Sequence, residues 1–222
     1  MKKNILIIGY GDIGSRLSKI LKEQSANIYA VSRHDSLDQN IIKINWDWLS
    51  NSNLELPKIT FDSVVIIPKP SNLDENGYRD GFISSLENIT NSLQNADIKS
   101  VIAISSTRVY GDHQLGYIDE ATFTEPSDFR GNLIKEYELT LNESFPTYLN
   151  ILRFSGLYKD SSKHSSHNRL NRNTAAKIIS FAINNLSQNK ENNIYNCSED
   201  CEILASVKSV SNKKLKAAGF NF

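Results

Sequence analysis

The sequence predicts an α/β protein built on a doubly wound parallel sheet with helices on both faces. Short, wholly apolar runs alternate along the chain with stretches whose apolar residues recur at helical spacing. The runs are continuous rather than alternating apolar and polar, which is the pattern of strands buried on both faces. The first of them ends in three glycines, "GYGDIG" at 9–14, and a helical stretch follows at once.

"NILIIG" (4–9) is the first predicted strand, β-branched and closed by glycine. Behind it Ile13, Leu17, Ile20 and Leu21 share one helix face, at offsets of four, seven and eight. Strands follow at "NIYAVSR" (27–33), "IIKIN" (41–45) and "SVVIIP" (63–68), the last ended by Pro68. Gly81 to Ala96 reads as a helix with Phe82, Leu86, Ile89 and Leu93 on one stripe. "SVIAISS" (100–106) is the fifth strand, a helix spans about Asn132 to Asn142, and "YLNILRFS" (148–155) is the sixth strand. Thr174 to Asn185 is helical, burying Ile178, Ala182 and Phe181, and "NIYNCS" (193–198) is a late strand. "SNKKLKAAG" (211–219) places Ser at the start and Gly at the end of a short final helix. "KDSSKHSSHNRLNRN" (159–173) is polar and low in complexity, and reads as an exposed loop.

Composition narrows the function classes. The 222 residues are 39% hydrophobic and 23% charged, ordinary values for a globular chain with a full core. Basic and acidic residues number 25 each, so no net field favours nucleic acid or an anionic membrane. The apolar run behind Met1, Lys2 and Lys3 is too short for a signal peptide or a membrane span, and a cytoplasmic location is expected. Cys197 and Cys201 are expected to stay reduced, and two thiolates alone make no zinc site. His164 and His167, in "HSSH", lack an acidic or cysteine partner nearby and read as loop residues, so no metal is expected.

The glycine stretch carries the functional expectation. Strand, Gly9-Tyr10-Gly11-Asp12-Ile13-Gly14, then helix is the context of a Rossmann dinucleotide fingerprint. Gly9 permits the tight turn, Gly11 lets a pyrophosphate approach the backbone, and Gly14 allows close helix–strand packing. The phosphates then rest on the free N–H groups at the positive end of the helix. An NAD-selective site places an acid at the end of the second strand, where it accepts from the ribose 2′-hydroxyl. This chain has Ser32 and Arg33 there, which suit a 2′-phosphate, so NADP(H) is expected over NAD(H), with Asp35 close enough to complicate the count.

Three stretches, "GYGDIG", "SVIAISSTRVYGD" and "ILRFSGLY", resemble the short-chain dehydrogenase/reductase superfamily in its extended branch of sugar-nucleotide epimerases and dehydratases. "YRDGFISSLENI", "RGNLIKEYE" and "NRLNRNTAAKII" are similar to the atypical, epimerase-like subgroup of that branch. The resemblance covers nearly the whole chain and implies one NAD(P)-binding domain over 1–222, with 156–222 adding a reduced C-terminal substrate lobe. It further implies cofactor contacts from Ser105, Phe154 and Ser155 beside Pro68 and Lys69, a hydroxyl at Ser106 that positions substrate, and pairing of two copies as a homodimer.

The family's Tyr-x-x-x-Lys pair is absent. Its positions hold Arg130 and Ile134, or Phe129 and Leu133 one residue earlier, and Tyr137 has Leu141 four residues on. The family's N-R-I-H-x-x-D becomes "NRLNRNT", with Asn171 and Thr174 for the His and Asp. Tyr110, His113 and Arg108 lie past the fifth strand, at the edge where ligands bind in such sheets, and Tyr110 is the candidate proton carrier. Two functions follow as expectations. One is an epimerase-like or oxidoreductase-like enzyme acting on a small or sugar-nucleotide substrate. The other is a catalytically inactive NAD(P)-binding sensor or partner-binding module.

Overall fold

The computed structural model describes residues 2–33, 41–50, 52–159 and 167–222. In chain order its first half contains β1 (Asn4–Ile8), α1 (Asp12–Glu23), β2 (Asn27–Val31), β3 (Ile42–Ile44), β4 (Thr60–Phe61), β5 (Ser63–Ile66), α2 (Glu75–Arg79) and α3 (Ser85–Leu93). The second half adds β6 (Asp97–Ile98), β7 (Val101–Ser106), β8 (Gly116–Ile118), α4 (Phe129–Ser144), β9 (Leu149–Phe154), β10 (Gly156–Tyr158) and β11 (Arg169–Asn171). It closes with α5 (Arg172–Phe181), β12 (Asn193–Cys197), β13 (Lys208–Val210) and α6 (Lys213–Ala217). A π-helical turn at Asp80–Ser84 joins α2 to α3, and a second at Ala182–Leu186 extends α5.

Seven strands form one sheet in the order β3-β2-β1-β5-β7-β9-β12, every neighbouring pair parallel. The chain builds outward from β1 to β2 and β3, then returns to the other side of β1 for β5 and the remaining strands. That reversal places the sheet's switch point between β1 and β5, where open α/β sheets have a crevice at the carboxyl ends.

The period of two along each strand divides the core. Ile5 and Ile7 of β1, Val65 of β5, Ile102 and Ile104 of β7 and Leu152 of β9 face one layer, with Leu17 and Leu21 of α1 and Ile178 and Ile179 of α5. Leu6 and Ile8, Val64 and Ile66, Val101 and Ala103, and Leu149 and Ile151 face the other, under Leu86 and Ile89 of α3 and Ile134 and Leu141 of α4. Each fully buried Ile or Leu contributes about 1.5–3 kcal/mol relative to exposure, and this term holds the layers together. The short helix α6 ends as expected: Gly219 takes φ +105°, and the Phe220 N–H donates back to the Leu215 carbonyl. Ser211 serves its start by accepting from the Lys213 N–H, one residue before the Asn212 cap.

One polar network runs through this apolar interior. Glu138 of α4 and Arg153 of β9 form a buried bidentate pair, Nε to Oε1 at 2.9 Å and Nη2 to Oε2 at 2.6 Å. Ser105 of β7 donates to Glu138 Oε1 at 2.5 Å. Arg153 Nη1 donates to the Tyr110 hydroxyl, which donates in turn to Asn196 Oδ1 of β12. The Asn196 N–H donates to the half-buried Glu120 carboxylate at 2.6 Å, on the outer edge of β12. Burial alone would depress the Arg153 pKa, but the hydrogen bond and charge of Glu138 and the Tyr110 contact outweigh it and raise it. Tyr137, one residue before Glu138, is fully enclosed, and its hydroxyl has no hydrogen-bond partner among the described residues. Burial and the neighbouring Glu138 raise its pKa, so it stays a neutral phenol.

Removing one member of the buried pair strands the other. Glu138→Gln or Arg153→Met is expected to cost about 3–5 kcal/mol in urea unfolding. Tyr137→Phe deletes an unsatisfied hydroxyl without changing the ring, and should raise stability by about 1 kcal/mol in the same measurement.

Candidate functional site

The site grows from the turn that ends β1. Gly9 takes φ +95°, and a Cβ built there would lie 2.2 Å from the Ile67 carbonyl oxygen and 3.2 Å from Trp48 Cζ3. Only glycine fits, because the turn after β1 presses on the chain leaving β5, across the switch point. Gly11 is different. Its N–H donates to the Gly9 carbonyl, its backbone is extended (φ −103°), and its missing side chain faces open space, with no other element among the described residues within 4 Å. It is the N-cap of α1 and provides no side-chain cap, so the first-turn N–H groups of the helix have no intrahelical partner. Open space, free N–H groups and the positive end of a helix together form a cradle that fits a pyrophosphate.

The other residues of the loop have distinct places. Gly14 lies less tightly than expected: its added Cβ would meet the Gly9 carbonyl at 3.4 Å and Ile7 Cγ2 at 3.5 Å, ordinary contact distances. Ile13 is buried in the first core layer, and the Tyr10 hydroxyl lies 2.7 Å from Ser18 Oγ, so the ring runs back along α1. The Asp12 carboxylate stands at the first residue of α1, between Arg16 Nε at 3.2 Å and Arg172 Nη1 at 3.0 Å. Burial pulls its pKa up, but the hydrogen bonds and charges of Arg172 and Arg16 outweigh that and hold it below the usual carboxylate range.

At the end of β2, Ser32 is buried and its N–H donates to the Ile44 carbonyl. Arg33 is 61% exposed, with Nη1 3.4 Å from Asp47 Oδ2. Asp35 lies outside the described residues. After β5, Pro68 is half-buried and Lys69 exposed. A Cβ on Gly81 would sit 2.3 Å from the Lys69 carbonyl, so this loop rests directly on the π-helical turn. Asp47 and Trp48 are site residues that pattern reading missed. Their one signal is the pair of tryptophans flanking an acid, "WDW", straight after a strand.

The candidates on β7 and β9 are drawn inward. Ser105 is held by Glu138, Phe154 lies in the first core layer, and the Ser155 N–H donates to the Cys197 carbonyl. Ser155 Oγ lies 3.4 Å from Thr107 Oγ1. Ser106 accepts from the Arg108 N–H at 3.2 Å and caps the 3-10 turn 107–110. Tyr110 is fully buried, its hydroxyl shared between Arg153 and Asn196, and burial raises its pKa despite Arg153. The phenol is therefore built into the core network, away from solvent at the sheet edge.

The remaining polar candidates have local partners. Arg108 pairs with Asp128, the N-cap of α4, and His113 lies between Glu125 and Ser127. The two positions that the sequence sets against the family's Tyr and Lys have these surroundings. The Arg130 guanidinium lies 5.6 Å from the Tyr78 ring and 5.5 Å from Phe129, and Ile134 is core. Both cysteines are free thiols, and no cluster of three or more metal-ligating side chains occurs among the described residues. His164 lies outside the described residues, and a ring nitrogen of His167 is 3.1 Å from the Glu202 carbonyl oxygen.

No protein-family model matches the chain, and no curated protein matches its sequence. Solved structures do match. A Methylobacillus flagellatus protein named for an inferred NAD-dependent epimerase/dehydratase activity superposes with TM-score 0.76 at 21% identity, over 100% of this chain and 93% of that one. The chain has their fold. A UDP-galactose 4-epimerase matches with TM-score 0.77 at 13% identity, covering 97% and 91% of the two chains. A UDP-glucuronic acid 4-epimerase from Bacillus cereus, solved in complex with NAD, matches with TM-score 0.76 at 14% identity, covering 97% and 89%. The Rossmann-type architecture expected from sequence is thus the shared feature. No helix among the described residues is long and apolar enough to cross a membrane.

The two glycines of the turn separate under substitution. Gly9→Ala meets both the positive φ and the Ile67 carbonyl and should cost about 3 kcal/mol or more in thermal or urea unfolding. Gly11→Ala, facing open space, should cost about 1 kcal/mol or less.

Proposed function

We propose that this chain is an NAD(P)-binding protein of the epimerase/dehydratase-like type, holding NADP(H) in preference to NAD(H). The observation that carries the reading is the open cradle at Gly11, beside the β1–β5 switch point and at the start of α1. The solved structures of the same fold include one complexed with NAD, which supports the cofactor class. Arg33 supports the preference. It is exposed at the end of β2 and, among the described residues, paired with the Asp47 carboxylate at 3.4 Å, an arrangement worth about 0–1 kcal/mol. A 2′-phosphate offers Arg33 more charge and more acceptor oxygens than Asp47 does. The expected setting is the cytoplasm.

Two functions stand on such a site. In the first, a small or sugar-derived substrate meets the nicotinamide near Ser106, and an epimerase-like or oxidoreductase-like reaction follows. The second is cofactor binding without turnover, as a sensor or partner-binding module. The burial of Tyr110, with core Ile134 at the Lys position, favours the second, because neither residue can serve as a proton carrier at the sheet edge.

Fluorescence titration with NADPH and NADH, followed by a hydride-transfer screen against carbonyl compounds and UDP-sugars, tests both. Saturable binding with no turnover is expected, and turnover would restore the enzyme reading. Gly11→Val should leave the fold intact and weaken both cofactors by about tenfold or more, since it fills the cradle. Arg33→Asp should lower the NADPH-to-NADH affinity ratio by about tenfold or more, and an unchanged ratio removes Arg33 from 2′-phosphate recognition.

A further inference from the structure

The ion cluster at the mouth of the glycine loop joins residues 160 positions apart in the chain. Asp12 opens α1, and Arg172 opens α5, whose cap is Asn171. Both helices start at the carboxyl edge of the sheet and pack side by side in the first core layer, so α5 delivers its first side chain to the loop. Arg172 Nη1 donates to Asp12 Oδ2 at 3.0 Å, and its Nε is buried with no partner among the described residues. Arg16, one turn along α1, donates to Asp12 Oδ1 at 3.2 Å and also bonds Asn173 Oδ1. Among the described residues the cluster therefore sets two guanidinium groups against one carboxylate.

The carboxylate stands where an incoming phosphate is favoured by the helix end and disfavoured by Asp12 itself. Only the arginines reverse that second effect. The Arg172–Asp12 pair is partly exposed, with side chains 30% and 47% accessible, so it is weakly held. A pyrophosphate offers the planar fork of Arg172 paired acceptors and two charges, a better partner than one carboxylate.

We propose that Arg172 is a pyrophosphate-binding residue of the glycine-loop site, held ready on Asp12, and that the Asp12 carboxylate tempers the affinity by competing for it. This rests on the dinucleotide reading above. It assigns part of the anion site to the C-terminal half of the chain, outside the fingerprint.

Calorimetric titration of the full chain with NADPH, NADH and ADP-ribose tests it, since all three share the pyrophosphate. Arg172→Met should weaken all three by about tenfold, and Arg172→Lys, which keeps charge but loses the fork, by less. Asp12→Asn should tighten all three by about threefold or more and steepen the salt dependence of binding, because both arginines then face the phosphates without an opposing carboxylate. Equal affinities in wild type and Arg172→Met overturn the proposal, as does a loss confined to NADPH, which would place Arg172 on the 2′-phosphate. Should Arg172→Met fail to fold, Asp12→Asn decides alone, and unchanged or weaker binding overturns it. A wild-type chain that binds none of the three is a different result, and removes the dinucleotide reading itself.

Discussion

The buried pair between Glu138 and Arg153 is the constraint around which the carboxyl half of the sheet is arranged. Burying two charges is unfavourable unless every donor and acceptor they carry is answered, and the answers come from elements far apart in sequence. Ser105 reaches Glu138 from β7, Tyr110 reaches Arg153 from the 3-10 turn, and Asn196 ties the turn to β12. The network thereby sets where β7 stops, how the turn after it leaves, and how α4 lies against the sheet. Residues that serve these ends are not free for chemistry at the surface. Ser105, singled out by the family resemblance, and Tyr110, singled out because it follows the strand at the ligand edge, both have their hydroxyls in this network.

The glycine turn after β1 depends on the opposite property, an absence of side chains where the backbone must come close. Gly9 is excluded from substitution by a carbonyl already in place, whereas Gly11 is bare toward solvent. The same motif thus contains one glycine required by the protein and one available to a ligand. Cations bracket this opening: Arg33 beyond β2, and Arg16 with Arg172 at the start of α1. Farther along the sheet edge the Arg130 guanidinium lies over two aromatic rings and Ile134 is core.

All seven strands of the main sheet were legible in the sequence, because strands buried on both faces write continuous Ile, Leu and Val runs. Boundaries were less so. The helix expected from Asn132 begins at Phe129, since the Asp128 side chain caps it by accepting from the Gly131 N–H. The helical stretch expected from Gly81 begins at Glu75, and the π-helical turn between its halves inserts a residue that breaks the 3.6 period. The short pairs β4–β6, β8–β13 and β10–β11 span two or three residues each, too few for any periodicity to register. The glycine loop was readable because its chemistry is local. The burial of Tyr110 was not, because its partners lie 43 and 86 residues away, and neither was the approach of Arg172 to Asp12.

The carboxylate of Glu120, fixed to the Asn196 N–H on the outer side of β12, has a meaning beyond its hydrogen bond. A seven-stranded open sheet has two rims, and each is a template for another chain to extend. One rim is β3, only three residues long. The other is β12, five residues long, and there a charged side chain occupies a donor that an invading strand would need. With Glu120 in place, that donor is not open to an added strand. Burial raises its pKa above the ordinary carboxylate value, partly offset by the Asn196 hydrogen bond, so the charge at this rim is less strongly held than at an exposed glutamate.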